Sequence, residues 1–277
     1  MIRRWILRLT LGPLLLLIAH MFTFRQVPVP LTPLMVIRLF EGEGLEHEWV
    51  SLEEMSPHLA RSVIGSEDNR FCSHGGVDWS AVRDVLEEVS SGERARGAST
   101  ISMQTAKNLY LWPSRSVIRK GLEVVLVQFL EATWSKQRII EVYLNIVELG
   151  PGIYGVEAAA QHHWGITAAS LGPDRAAALA AMLPAPRART PRSPEVRGSI
   201  KRIQRRIREL GEHLDCVPSA PEVPVKALAP TKPSVATEPA PVPLERDDTE
   251  VEDEAAPEKP RRSKRKKVRS KRRRGSR

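Results

Sequence analysis

Apolar and polar positions change rhythm several times along this chain of 277 residues, and the changes divide it. Residues 5–24 read WILRLTLGPLLLLIAHMFTF, about 20 mostly apolar positions in a row, roughly the length a bilayer core requires. Arg3 and Arg4 precede the run, and Arg8 is long enough to snorkel back to an interface. Positive charge ahead of the span predicts residues 1–4 on the cytoplasmic side and everything after the span outside. A cleaved signal peptide is the competing reading, but Ala19-His20-Met21 is not an A-x-A-like cut site, so the run predicts one uncleaved transmembrane helix. Pro28, Pro30 and Pro33 then predict a stiff, non-helical connector over residues 25–33, inside a linker of residues 25–44.

From residue 45 to residue 215 the pattern is that of a globular domain. Pro57 after Ser56 predicts a helix start, with the helix running to about Ile64. Trp79, Val82, Leu86 and Val89 fall on one face of a helix over 78–89. Residues 90–97, SSGERARG, predict a mobile loop. Apolar helical runs follow at Val117–Thr133 and Ser135–Leu149, broken by Gly150-Pro151-Gly152. Alanine-rich stretches at Tyr154–His163 and Arg175–Leu183 suit tightly packed helices, and Gly198–Leu210 predicts an arginine-rich one. No convincing alternation marks a strand, so the predicted fold class is mainly α. After about Cys216 proline recurs and large apolar residues thin out, which predicts disorder over residues 216–277.

Charge changes the picture in one respect. The formal net charge of +9 by itself points to a polyanion partner. Twelve of the 42 basic residues lie between Arg261 and Arg277, however, leaving 30 against 33 acidic ones in the rest of the chain. The body is therefore no basic nucleic-acid binder, and no nucleic-acid partner is expected. The basic block follows an acidic cluster (Glu245, Asp247, Asp248, Glu250, Glu252, Asp253, Glu254) and suits anionic surfaces or a solvated tail equally. Two cysteines, Cys72 and Cys216, are too few for a disulfide scaffold and fit no metal spacing. They can pair in an oxidising compartment, but the plainer expectation is two unpaired thiols.

Three local patterns carry candidate chemistry. Glu67-Asp68-Asn69-Arg70-Phe71, then His74-Gly75-Gly76 and Asp78, sets paired carboxylates beside a glycine-rich turn, where a general base could sit; taken alone, these residues read more readily as a charged helix end. Gly97-Ala98-Ser99-Thr100 leads into Gln104, Lys107 and Asn108, which share a helix face and suit phosphate or sugar hydroxyls; an ordinary Ser or Thr cap is the alternative. Arg115, Arg119, Lys120 and Glu123 place three cations and one carboxylate on an otherwise apolar helix, fit for a pyrophosphate or for simple i,i+4 ion pairs.

In order and spacing these motifs resemble those of glycosyltransferase family 51, the peptidoglycan polymerases, and most of all its monofunctional biosynthetic transglycosylases. The E-D…F…H-G motif is met at Glu67, Asp68, Phe71, His74 and Gly75, and G-x-S-T…Q…K-N at Gly97, Ser99, Thr100, Gln104, Lys107 and Asn108. R-K-x-x-E is met at Arg119, Lys120 and Glu123, E-x-Y-L-N at Glu141, Tyr143, Leu144 and Asn145, and the next helix at Gly155–Ala160 with Trp164-Gly165. Met103 stands where the family usually carries a second glutamine, and His163-Trp164 replaces a common Tyr-Phe.

The resemblance implies a lysozyme-like helical domain with a small membrane-proximal lobe, and an inverting glycosyl transfer that joins lipid II to a growing glycan chain. Glu67 is then the general base. Asp68, Ser99, Thr100, Gln104, Lys107, Asn108, Arg115, Arg119 and Lys120 bind substrate, and Glu123 organises the cations or touches a metal ion. No cofactor is expected to be required, with Mg2+ a candidate stimulator. Expected partners are lipid II, inner-membrane lipid, and proteins of cell division or elongation. The expected location is the bacterial inner membrane, crossed once, with the catalytic domain in the periplasm. No acyl-serine transpeptidase pattern is visible, so the enzyme is expected to be monofunctional. A lytic, lysozyme-like hydrolase and a non-catalytic anchored scaffold are the alternatives.

Overall fold

Proline and capping side chains decide where the helices begin. The computed structural model describes residues 2–92, 97–114 and 116–219. Arg115, residues 93–96 of the expected loop and residues 220–277 of the expected tail lie outside them. The described helices are α1 (Ile2–Phe24), α2 (Pro33–Phe40), α3 (Pro57–Glu67), α4 (Trp79–Ser90), α5 (Ile101–Tyr110), α6 (Val117–Thr133), α7 (Lys136–Ile146), α8 (Val156–Trp164), α9 (Pro173–Met182) and α10 (Pro194–Leu210). α2, α3, α9 and α10 each carry proline in the first turn, where its missing N–H has no partner to lose. Thr32, Thr100, Ser116 and Ser135 cap α2, α5, α6 and α7, each accepting a backbone N–H of the first turn.

Several expectations need correction. The connector over residues 25–33 ends in a helix start, because Thr32 caps and Pro33 opens α2. The helix expected to reach Leu149 stops at Ile146, and the chain turns into a small sheet: β1 (Glu46–His47), β2 (Glu148–Gly150) and β3 (Ile153–Tyr154), in the order β1-β3-β2. β3 pairs parallel with β1 and antiparallel with β2. Strands of two or three residues are too short to show alternation, so no periodicity could reveal them. Cys72 and Cys216 are not free thiols but a disulfide. It joins the loop after α3 to the segment after α10, across a sequence separation of 144.

The core lies where α5, α6 and α7 meet, with α3, α9 and α10 packed alongside. Ile139, Ile140, Val142, Tyr143, Leu144 and Ile146 of α7 are all fully buried. The alanines of α9 are buried too, and their small side chains let α3 and α10 approach closely. α1 is fastened at its C-terminal end. Trp134 Nε1 donates to Met21 O at 2.9 Å, and Arg138 donates to Phe24 O at 2.8 and 3.1 Å and to Val27 O at 2.5 Å. Among the described residues no helix is long and apolar enough to cross a membrane.

Candidate active site

The first motif mostly holds itself in place. Phe71 is fully buried, with Lys136 Nζ 4.6 Å from its ring centroid. Lys136 also donates to His74 O at 2.6 Å and to Glu131 at 2.7 Å. Asp68, expected at the substrate, is buried and engaged: both carboxylate oxygens lie 3.0 Å from His74 Nε2, and one accepts the Ile101 N–H at 2.9 Å. It ties the end of α3 to the start of α5. Gly76 sits at φ +93°, and a Cβ there would meet Val127 and Glu131 at 3.0 Å, so only glycine lets this turn lie against α6.

Glu67 is what this bracing presents. It stands at the end of α3, half-buried, on the wall of a cavity of about 410 Å³ that also includes Asp68, Ser99, Thr100 and Arg206. Gln104 Nε2 donates to Glu67 Oε2 at 3.1 Å, and Tyr143 Oη donates to Gln104 Oε1 at 3.0 Å. Burial pushes the Glu67 carboxyl above the usual carboxylate range. The Gln104 bond pulls it back, Asp68 raises it, and the charges of Lys107 and Arg189 lower it.

One turn along α5 from Gln104, Lys107 and Asn108 line a second cavity of about 430 Å³ with Arg119, Trp112, Ser114, Arg38 and Glu148. Burial lowers the Lys107 pKa, and the nearby Arg119 and Lys120 lower it further, against the pull of Glu123 and Glu67. Glu123 is buried and bonded to Arg119, and to Lys120 at 2.9 Å. Lys120 Nζ also donates to Ser99 Oγ at 3.0 Å, which links the cation cluster to the wall of the Glu67 cavity. Among the described residues Arg119 Nε and Ser114 Oγ, both on the cationic wall, are buried with no hydrogen-bond partner. Their free hydrogen-bonding capacity leaves this wall able to bond a polar ligand.

The structure therefore brings together Glu67, Gln104, Lys107, Asn108, Arg119, Lys120, Glu123 and Ser99. Arg115 lies outside the described residues. Thr100 is present but occupied, as cap of α5 and as donor to Gly76 O at 2.5 Å. Met103, at the family's second-glutamine position, is 3% exposed and belongs to the core. Sequence reasoning missed the positions of Tyr143, Arg189 and Arg206. Tyr143 was visible only as a motif letter, and the two arginines belong to arginine-rich stretches whose spacing singles out no member. Among the described residues no group of three or more His, Cys, Asp or Glu is arranged to hold a metal ion. The Glu123 carboxylate faces Arg119 and Lys120, so this donor set does not fit a divalent cation.

A helical domain that sets a desolvated carboxylate beside a cluster of lysine and arginine is the class that fold and site define. A family model described as transglycosylase matches residues 35–210. Similar proteins include a biosynthetic peptidoglycan transglycosylase of Rhodospirillum centenum, 50% identical over 71% of this chain and 86% of that one. Those of Caulobacter vibrioides and Agrobacterium fabrum are 48% and 46% identical, over 67% and 76% of this chain and 82% and 93% of theirs. The chain belongs to the transglycosylase family.

Proposed function

We propose that this chain is a monofunctional peptidoglycan glycosyltransferase, polymerising lipid II into β-1,4-linked glycan strands for the cell wall. The observation that carries the reading is that Glu67, held by the Gln104 amide, stands in a cavity whose wall at Ser99 is bonded to Lys120 of the cation cluster, while burial raises its proton affinity. A base working near neutral pH needs such a raised carboxyl. Glu67 takes the proton of the acceptor's GlcNAc 4-hydroxyl, and that oxygen attacks C1 of the MurNAc at the lipid end of the growing chain. The configuration inverts and undecaprenyl diphosphate departs. Lys107, Arg115, Arg119 and Lys120 hold the departing diphosphate, and charge developing on it is met by cations already in place. Glu123 keeps two of those cations apart and oriented. Gln104, Asn108 and Ser99 line the donor side, while Asp68 and Thr100 brace it.

In this reading residues 5–24 anchor the chain in the inner membrane, residues 45–219 form the catalytic body in the periplasm, and residues 220–277 form the tail; the expected tail start at Cys216 is too early, because Cys216 is bridged and Val217 is buried. The arginines ahead of the apolar run support the orientation, and the disulfide supports an oxidising compartment. The exposed Trp79 and Val89 on α4 support a lobe that lies against lipid. Proteins of cell division or elongation are the partners such a place suits, and the reaction needs no resident cofactor.

The test is polymerisation of lipid II by the purified chain in detergent, with and without moenomycin. Glycan strands that form, and that moenomycin suppresses, are the expected result. Consumption of finished peptidoglycan in place of lipid II would overturn the reading in favour of a hydrolase.

A further inference from the structure

The last turn of α8 carries chemistry that the reaction at Glu67 does not use. His162, His163 and Trp164 follow one another there, the last two being the pair that stands in place of Tyr-Phe. With Thr190, Pro191 and Arg192 they line a cavity of about 350 Å³. The rings meet edge to face, with centroids 5.1 Å apart for His162 and His163 and 5.7 Å apart for His163 and Trp164. His162 Nδ1 lies 3.2 Å from Glu46 Oε2, so that ring is already engaged. His163 Nε2 is buried with no hydrogen-bond partner among the described residues. Two guanidinium groups stand by these rings. Arg192 is exposed on the cavity wall, and Arg175 lies over the Trp164 ring at 5.7 Å; neither makes an ion pair among the described residues.

The cavity is a short turn away from Glu67. Ser66, the residue before it, donates to Ala180 O at 3.4 Å, and Arg189 donates to Ala181 O at 3.0 Å, so the two side chains sit on successive carbonyls at the end of α9. Arg189 leads straight into a turn in which the Ser193 N–H donates to Thr190 O at 3.0 Å and the Thr190 N–H to Ser193 Oγ at 2.9 Å. That turn holds Arg192 on the cavity wall.

We propose that this cavity binds the carboxylate-bearing peptide carried by each disaccharide unit of the substrate, with Arg192 taking a carboxylate and the His163 and Trp164 rings packing on the peptide's apolar atoms. A guanidinium grips a carboxylate through two parallel N–H bonds. His163 Nε2 adds one bond to a backbone N–H or C=O, according to its tautomer. Five extended residues reach about 17 Å, against about 10 Å for the three that separate Arg189 from Arg192. The inference rests on the polymerase reading above and adds the peptide to what the enzyme recognises.

Because Arg192 is exposed, Arg192→Ala removes the cation without disturbing the core. The full chain in detergent is titrated with three soluble probes, and binding is read by ligand-observed NMR. The probes are the disaccharide GlcNAc-MurNAc bearing its pentapeptide, the same disaccharide without peptide, and the peptide-bearing form with its carboxylates amidated. The wild type should bind the first at least about tenfold more tightly than the other two. Arg192→Ala should weaken the first about tenfold and Arg192→Lys by less, while Lys107→Ala leaves it within about twofold. A peptide-bearing probe that the wild type does not bind, or that Arg192→Ala binds as well as the wild type, overturns the inference. Equal binding of the bare disaccharide overturns it too, since the site would then read sugar. So does an equal loss in Lys107→Ala, which would put the probe in the cleft. A wild type that binds the peptide through Arg192 yet makes no strands from lipid II would sink the polymerase reading and leave this site standing.

Discussion

Glu67 is held in a compromise that its neighbours set. Burial favours its protonated form, while the amide of Gln104 and the charges of Lys107 and Arg189 favour the ionised one. Two predictions follow from that balance. Glu67→Gln should lower lipid II polymerisation by about 10²–10⁴-fold, the usual worth of a positioned base. It should also stabilise the fold at high pH. A carboxyl whose folded pKa is raised carries its stabilising contribution fully below the unfolded value and loses it as pH rises through the folded one. Glutamine has no such loss, so the gain in Tm should be clear at pH 8, equivalent to about 1 kcal/mol, and should shrink toward pH 4. Calorimetry at both pH values checks the sign. Tyr143 acts one residue further out. Its hydroxyl, whose proton burial holds in place, fixes the carbonyl of Gln104 and so keeps the amide N–H toward Glu67. In Tyr143→Phe the amide is free to turn, and the acidic limb of the kcat/KM profile should move to higher pH. Near that limb the loss is roughly two- to tenfold, and at high pH it is small. An unmoved limb would reduce Tyr143 to packing.

At the scale of elements, what was legible followed from how strongly each is marked in sequence. Val117–Thr133 matches α6 residue for residue, because a serine cap opens it and a long apolar run fills it. α10 extends four residues further toward the N-terminus than its arginine-rich stretch implied, since Pro194 starts it. The three strands were invisible because their order is imposed from outside. Asn145 bonds both the N–H and the C=O of Val50 at 2.9 Å, and Gly155, at φ +81°, passes so close that a Cβ would stand 2.5 Å from Asn145 O. The disulfide was illegible for the same reason: partners 144 positions apart are brought together only by the packing of α3, α9 and α10. It closes a loop that includes almost the whole catalytic core, so Cys72→Ser with Cys216→Ser should cost about 2–4 kcal/mol. The paired variant should melt lower than the wild type under oxidising conditions and alongside it in strong reductant. Coincident melting in both conditions would mean that the bridge adds nothing.

At the scale of the molecule, charge and hydrophobicity sit at opposite ends of the chain, with the cleft between them in sequence. The apolar run lies at residues 5–24 and the basic block at residues 261–277. A truncation that tests the tail must spare the fold. Cys216 is bridged and Val217 is 5% exposed, so the cut belongs after residue 219. A chain ending at Ser219 loses twelve Lys or Arg between Arg261 and Arg277 and should keep its melting temperature. Its turnover of lipid II in neutral detergent should also stay within about twofold, because the cations that meet the diphosphate all fall between residues 107 and 120. What it should lose is attraction to anionic membrane, on the order of 1 kcal/mol for each charge that reaches the surface and only at low salt. Flotation with vesicles containing phosphatidylglycerol, compared at 50 mM and 500 mM salt, separates the two ends. The full chain should float at both concentrations through residues 5–24. A chain lacking residues 1–27 should float only at low salt, and one lacking both ends at neither. If the chain without residues 1–27 floated equally at high salt, a third, apolar contact would be holding it, and the exposed faces of α4 and α6 would be the place to look.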